Sequence, residues 1–214
     1  MNAATTASLA TAAGTLVLAV ATFASVRSAN RAARTAERSL LEGLRPVLVN
    51  SRLQDPPEKI SFVDQHWIRV EGGRGVVEIS DEVIYLAIAL RNVGRGMGVL
   101  HGWLASGIED SGKGEVECDP TKYRILTRDL YVPSGDSGFW QGALRDPADP
   151  LFDELKQAFS DRTRITVDLL YGDHEGGQRT VSRFSLLARE TDDGELTWLA
   201  TVSRHRHLDG ADPR

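Results

Sequence analysis

Val83-Ile84-Tyr85-Leu86-Ala87-Ile88-Ala89-Leu90 reads as the strongest strand in the chain. Ile84, Leu86, Ile88 and Leu90 alternate with Val83, Tyr85, Ala87 and Ala89, so at a period of two both faces are apolar. A strand of that kind is central and covered on both sides. It runs into Arg91-Asn92-Val93-Gly94-Arg95-Gly96-Met97-Gly98, and Val99 to Leu104 follow as another strand. Three alternating glycines raise the question of a phosphate-binding loop. No helix follows them and no Lys-Ser/Thr closes the loop, so Asn92 and the glycines are assigned to positive-φ turn positions.

Strand and turn signals continue on either side. Upstream lie Val47-Leu48-Val49, a break at Gln54-Asp55-Pro56-Pro57, and Trp67–Val70 and Val76–Ile79 around Glu71-Gly72-Gly73-Arg74-Gly75, a predicted hairpin. Downstream, residues 107–120 are a polar loop. Tyr123–Leu126 and Leu130–Val132 precede a turn at Pro133-Ser134-Gly135-Asp136. Asp149-Pro150 reads as N-cap and first position of a short helix whose Leu151, Leu155, Ala158 and Phe159 share a face. Strands at 164–171, 180–188 and 196–204 complete the series. At least seven short strands, one connecting helix and no βαβ rhythm predict a mainly β fold, an antiparallel sandwich.

Leu90-Arg91-Asn92-Val93-Gly94-Arg95-Gly96 resembles the strand-Asn-x-Gly corner of immunoglobulin-like bacterial modules, and Val132-Pro133-Ser134-Gly135-Asp136 resembles their Pro-Gly-acid turn. With its N-terminal apolar segment, the chain is similar to small uncharacterised single-pass bacterial membrane proteins. The resemblance implies an immunoglobulin-like β-sandwich and a topology; it implies no activity.

From Asn2 to Val26 there is no charged side chain. At about 1.5 Å per helical residue that stretch spans the roughly 30 Å hydrocarbon core of a bilayer. Its Thr and Ser hydroxyls can bond back to the preceding turn. A cleaved leader would carry positive charge before the apolar core, and here no Lys or Arg precedes it, although Thr22-Phe23-Ala24 imitates a small-residue cleavage site. The expectation is a transmembrane helix over 2–26 that continues as a basic juxtamembrane helix over 27–45. Arg27, Arg31, Arg34 and Arg38 flank the span, and basic flanks stay on the cytoplasmic side, which puts the N-terminus outside and the C-terminal domain in the cytoplasm. The arginines share one helical face suited to anionic headgroups. Val26, Ala29, Ala33, Ala36 and Leu40 form a heptad-like stripe that admits a homo-oligomer.

The β-sandwich domain is assigned to 46–208 and a disordered tail to 209–214. Residues 46–214 carry a net charge of −8, which excludes nucleic acid as a partner. Cys118 is the single cysteine, so no internal disulfide forms.

His205-Arg206-His207-Leu208-Asp209 is the sharpest chemical string, since His-x-His-x-Asp occurs in dinuclear metallohydrolases. Gly210 stands where a further His is needed, and no ligands follow. His101, inside an apolar strand, is expected to be half-buried with one hydrogen bond. Asp168 is expected to pair with Arg183 on the neighbouring strand. Trp140 and Trp67, with Asp173 and His174 at a hairpin tip, are the candidate binding surface, Trp140 being expected to be the most exposed tryptophan; Trp198 is assigned to the core. The sequence therefore predicts a non-catalytic interaction module with no cofactor, partnered by the lipid bilayer and an unidentified protein. The alternative is a membrane-tethered, metal-dependent hydrolase using His205, His207 and Asp209.

Overall fold

The computed structural model describes residues 3–107, 116–175, 177–191 and 193–209. The chain divides after Gly43 into two compact units. The first is one α-helix, α1 (Ala3–Gly43). Leu16, Val17, Leu18, Val20 and Phe23 on it are each 62–68% exposed. Thr15, Thr22 and Thr35 donate their hydroxyls to the carbonyls of Thr11, Leu18 and Arg31 at 2.8–3.0 Å, so these side chains need no outside partner. The helix is long and apolar enough to cross a membrane. Arg27, Arg31, Arg34 and Arg38 are exposed along its second half. Helical geometry stops just before Arg45-Pro46, as expected of a residue preceding proline.

The second unit is mainly β and antiparallel. Its strands are β1 (Leu48–Asn50), β2 (Glu58–Ser61), β3 (Trp67–Val70), β4 (Arg74–Ile79), β5 (Ile84–Asn92), β6 (Gly98–Ser106), β7 (Arg124–Val132), β8 (Ser137–Leu144), β9 (Ile165–Gly172), β10 (Thr180–Glu190) and β11 (Leu196–His207), with helix α2 (Pro150–Ser160) between β8 and β9. Among the described residues, nine strands form one curled sheet in the order β1-β5-β4-β11-β10-β9-β6-β7, with β8 on the other edge of β5. The join between β4 and β11 is only two residue pairs long, Gly75↔Trp198 and Arg74↔Leu199. Contacts across the interior show the curl: the Trp103 ring of β6 meets Trp140 of β8 edge-on at 5.4 Å, and the Tyr171 hydroxyl of β9 accepts from the Leu48 N–H of β1 at 3.1 Å.

β5 is central in the way its alternation predicts. Ile84, Leu86, Ile88 and Leu90 enter the main core with Trp103, Trp140, Tyr171, Phe184 and Trp198. Ala87 and Ala89 face the other way, and their small side chains leave room for the β2–β3 hairpin, which lays Ile60, Phe62, Ile68 and Val70 over them. Here the strand pairing departs from expectation. β3 pairs with β2, and β4 pairs with β5, so no hairpin joins 67–70 to 76–79. Gly72 and Gly73 turn the chain from one sheet to the other. A Cβ on Gly72 would stand 2.2 Å from the Arg52 carbonyl, and Gly73 has φ +69°. α2 begins as the sequence indicates, the Asp149 carboxylate accepting from Leu151 N–H at 3.0 Å, and buries Phe152, Leu155 and Ala158.

The turn after β5 fastens the start of the domain. Asn92 is fully buried. Its Oδ1 accepts from the N–H groups of Val47 (3.2 Å) and Gly94 (2.9 Å), and its Nδ2 donates to the carbonyls of Gly96 (2.7 Å) and Val132 (3.0 Å). Gly94 and Gly96 press against residues 44–47: an added Cβ would lie 2.3 Å from the Arg45 carbonyl oxygen and 1.8 Å from that of Leu44. Truncating Asn92 strands buried donors and acceptors. Asn92→Ala is predicted to cost about 3 kcal/mol in urea denaturation, since each abandoned buried partner is worth roughly 1–3 kcal/mol; an unchanged midpoint would contradict this assignment.

Candidate functional site

The C-terminal string closes onto the domain. β11 extends through His207, three residues past its predicted end, opposite β10. His205 Nδ1 lies 2.6 Å from Ser182 Oγ, and His207 Nδ1 lies 3.1 Å from Thr180 Oγ1. Ser182 in turn hydrogen-bonds the buried Tyr171 hydroxyl at 2.8 Å. Asp209 pairs with Arg45 at 3.0 Å, tying the two ends of the domain together. Among the described residues no group of three or more His, Cys, Asp or Glu is placed to hold a metal ion. Of the tail expected at 209–214, all but Asp209 lies outside the described residues.

The four candidate binding residues do not form one surface. Trp140, expected to be the most exposed, is fully buried, and its Nε1 has no hydrogen-bond partner. A Gly-rich turn precedes it, yet β8 pairs with β5 along its whole length, and Ile88↔Trp140 alignment turns the indole inward with Ile88. Asp173 is also buried, its carboxylate accepting from the Gly177 N–H at 2.8 Å, so it caps the loop from within. His174 is exposed. Trp67 is 56% exposed on the outer face of β3, with the Lys59 ammonium 4.9 Å above its ring. Trp198 is in the core as expected, stacked on Phe159. The Asp168–Arg183 pair forms between β9 and β10 at 2.7 Å.

His101 sits where two ladders slip. Its neighbours Leu100 and Gly102 pair with Tyr171 and Leu170 of β9 and with Leu130 and Ile125 of β7, leaving His101 out of register in both. Such bulges re-aim a side chain. The expected single hydrogen bond is missing at Nε2, which is buried without a partner and would lie 3.1 Å from a Cβ on Gly172. Desolvation pushes the imidazole below its usual range; Asp129 and Asp173 oppose the shift and Arg179 adds to it.

Opposite His101, the same slip leaves Leu126, Thr127, Arg128 and Asp129 of β7 out of the ladder. β7 and β8 are joined by the Pro133–Asp136 turn, yet no ladder connects them among the described residues. Between them runs a groove of about 170 Å³ lined by Trp103, Arg124, Arg128, Gln141, Gly142 and Arg145, among others, with Val63 and Ile125 at its rim. Val63 (81%) and Ile125 (83%) are the most exposed large apolar side chains among the described residues. Gly142 keeps the floor open: a Cβ there would be 2.7 Å from the Trp140 ring and 3.1 Å from Trp103. Arg124 pairs with Asp149 at 2.6 Å and lies over Trp103; Arg145 pairs with Asp64 at 3.2 Å. Asp64 also accepts from the Tyr85 hydroxyl at 2.6 Å, and this bond, followed by the His66 N–H and Arg145, holds its carboxyl below the usual range. Sequence reasoning missed this groove. Its elements are read from four separate segments, and the one local signal is the pair of exposed apolar residues beside arginines.

No family model, curated protein or solved structure matches the chain.

Two outcomes follow from this geometry. Because the native imidazole of His101 resists protonation while the unfolded one does not, its contribution to stability is present above the unfolded value near 6.5 and is lost as pH falls below it. Unfolding free energies at pH 7.5 and 5.5 are therefore expected to differ more in the wild type than in His101→Gln; equal differences would contradict it. Gly142→Ala is expected to destabilise by about 1–3 kcal/mol in thermal melts, the cost of overfilling a packed site, and an unshifted melt would show that the two indoles yield freely.

Proposed function

We propose that the chain is a single-pass, non-catalytic membrane protein that presents its β domain to a protein partner in the cytoplasm. Residues 2–26 lie in the bilayer of the cell membrane, with the short N-terminus outside. The observation that carries this reading is an apolar helix whose large side chains, Leu16 to Phe23, are all exposed, followed at once by four arginines. Lipid is the solvent that suits such a surface, and the basic flank suits the cytoplasmic leaflet. The stripe Val26, Ala29, Ala33, Ala36 and Leu40 suits pairing of two copies along the juxtamembrane helix.

The β domain in this reading is an immunoglobulin-like sandwich, one layer built on β1, β4, β5 and β8 and the other on β7, β6, β9, β10 and β11. Support comes from the two-pair join between β4 and β11, from the Asn92 corner and from the Pro133–Asp136 turn. The assignment to an interaction role is supported by the open groove between β7 and β8 and its exposed apolar rim.

Alkaline carbonate washing of membranes is expected to leave the full-length chain in the pellet, and alkaline phosphatase fused after Arg214 to stay inactive in a bacterial host. Release into the wash, or an active fusion, would overturn the reading.

A further inference from the structure

The groove between β7 and β8 brings together three features. The first is a strand edge. Among the described residues β8 pairs with β5 on one side only, and the slip at Leu126–Asp129 leaves β7 off the other. An edge strand presents backbone donors and acceptors to any extended chain that reaches it. The second is charge. Residues 46–214 carry a net −8, yet the charged residues lining the groove are three arginines and no acid. Two of them are answered from outside the lining, Arg124 by Asp149 and Arg145 by Asp64. Arg128 reaches across the gap to neutral oxygens, the Ser61 carbonyl at 3.3 Å and Gln141 Oε1 at 2.9 Å. The third is the apolar rim of Val63 and Ile125.

We propose that this seam is a docking site for an extended peptide segment of a partner protein, added as a strand along the free edge of β8, with one carboxylate side chain of the peptide on Arg128. The proposal rests on the interaction-module reading and names its site and the chemistry of its partner. Main-chain hydrogen bonds to β8 supply affinity, while alternate side chains supply specificity. The carboxylate replaces the neutral oxygens now bound to Arg128 with a charge-assisted, two-pronged contact. Apolar or β-branched side chains flanking that carboxylate cover Val63 and Ile125. Among the described residues Arg128 makes no ion pair, and a single arginine held by neutral oxygens matches one carboxylate better than a multiply charged phosphate. The acidity of the domain as a whole opposes docking on an anionic lipid surface.

The test is selection of a randomised twelve-residue peptide library on the full-length protein in lipid nanodiscs. The expected winners carry Asp or Glu at one fixed position between Val, Ile or Thr residues. They lose at least tenfold in affinity for Arg128→Glu and for Ile125→Asp, both surface changes, and lose binding when alternate backbone amides of the peptide are N-methylated. Winners with no acidic position, equal binding to Arg128→Glu, indifference to N-methylation, or no enrichment at all would each overturn the proposal. So would displacement of the peptides by equimolar inorganic phosphate or by phosphatidylglycerol vesicles, which would assign the seam to small anions or headgroups. Cross-linking in native membranes that captures the same partner with wild type and Arg128→Glu would sink the seam and leave the interaction-module reading standing. Failure of membrane retention would sink the anchored reading without touching the peptide result.

Discussion

A strand buried on both faces has no water to satisfy its peptide groups, so each must find a partner within the sheet. β5 is in that position, and its neighbours follow from it. β8 runs along one edge, while β4 and β1 share the other. Where β5 ends, Asn92 continues its work through the side chain. One amide reaches the chain entering the domain at Val47, the turn at Gly94 and Gly96, and the end of β7 at Val132. Segments far apart in sequence are thereby held by one buried side chain, and the tight passage at Gly94 and Gly96 admits no larger residue. Arg45–Asp209 adds a second fastening between the two ends of the domain.

The same strand explains why the domain has a seam. β5 engages β8 over eight residue pairs, and β9 engages β6 over seven. β7 is left to bridge from β6 toward β8, but its ladder with β6 slips at His101 and expels four residues. The sheet curls far enough to bring β7 beside β8 at the 133–136 turn and no farther. Arg128 and Gln141 span the remaining gap with side chains where backbone bonds would otherwise run.

Legibility in the sequence tracked how local each cause was. The alternation of Ile84–Leu90 announced a strand with two apolar faces, because period and burial are both properties of a single segment. The Asp149-Pro150 cap was legible for the same reason, and the Asp168–Arg183 pair followed from two adjacent strands. The burial of Trp140 is not legible because a glycine-rich turn suggests exposure, whereas its inward orientation is set by pairing with a strand about fifty residues earlier. The burial of Asp173 is not legible because a hairpin-tip carboxylate is usually solvated, and here it turns back to cap its own loop. The β2–β3 pairing was hidden because Trp67–Val70 has strand signals on both sides, and only the close approach of Gly72 to Arg52 decides between them. The groove was invisible because it is an absence of pairing, which no residue pattern spells out.

Hydrogen–deuterium exchange of the full-length protein in lipid nanodiscs tests the central claim most directly, since it reads backbone pairing residue by residue. The account predicts the slowest exchange of the domain at Ile84–Leu90, and fast exchange at Leu126–Asp129 and at the outward amides of Gln141–Ala143. Fast exchange in β5, or protection across the β7–β8 seam equal to that of β5, would contradict it.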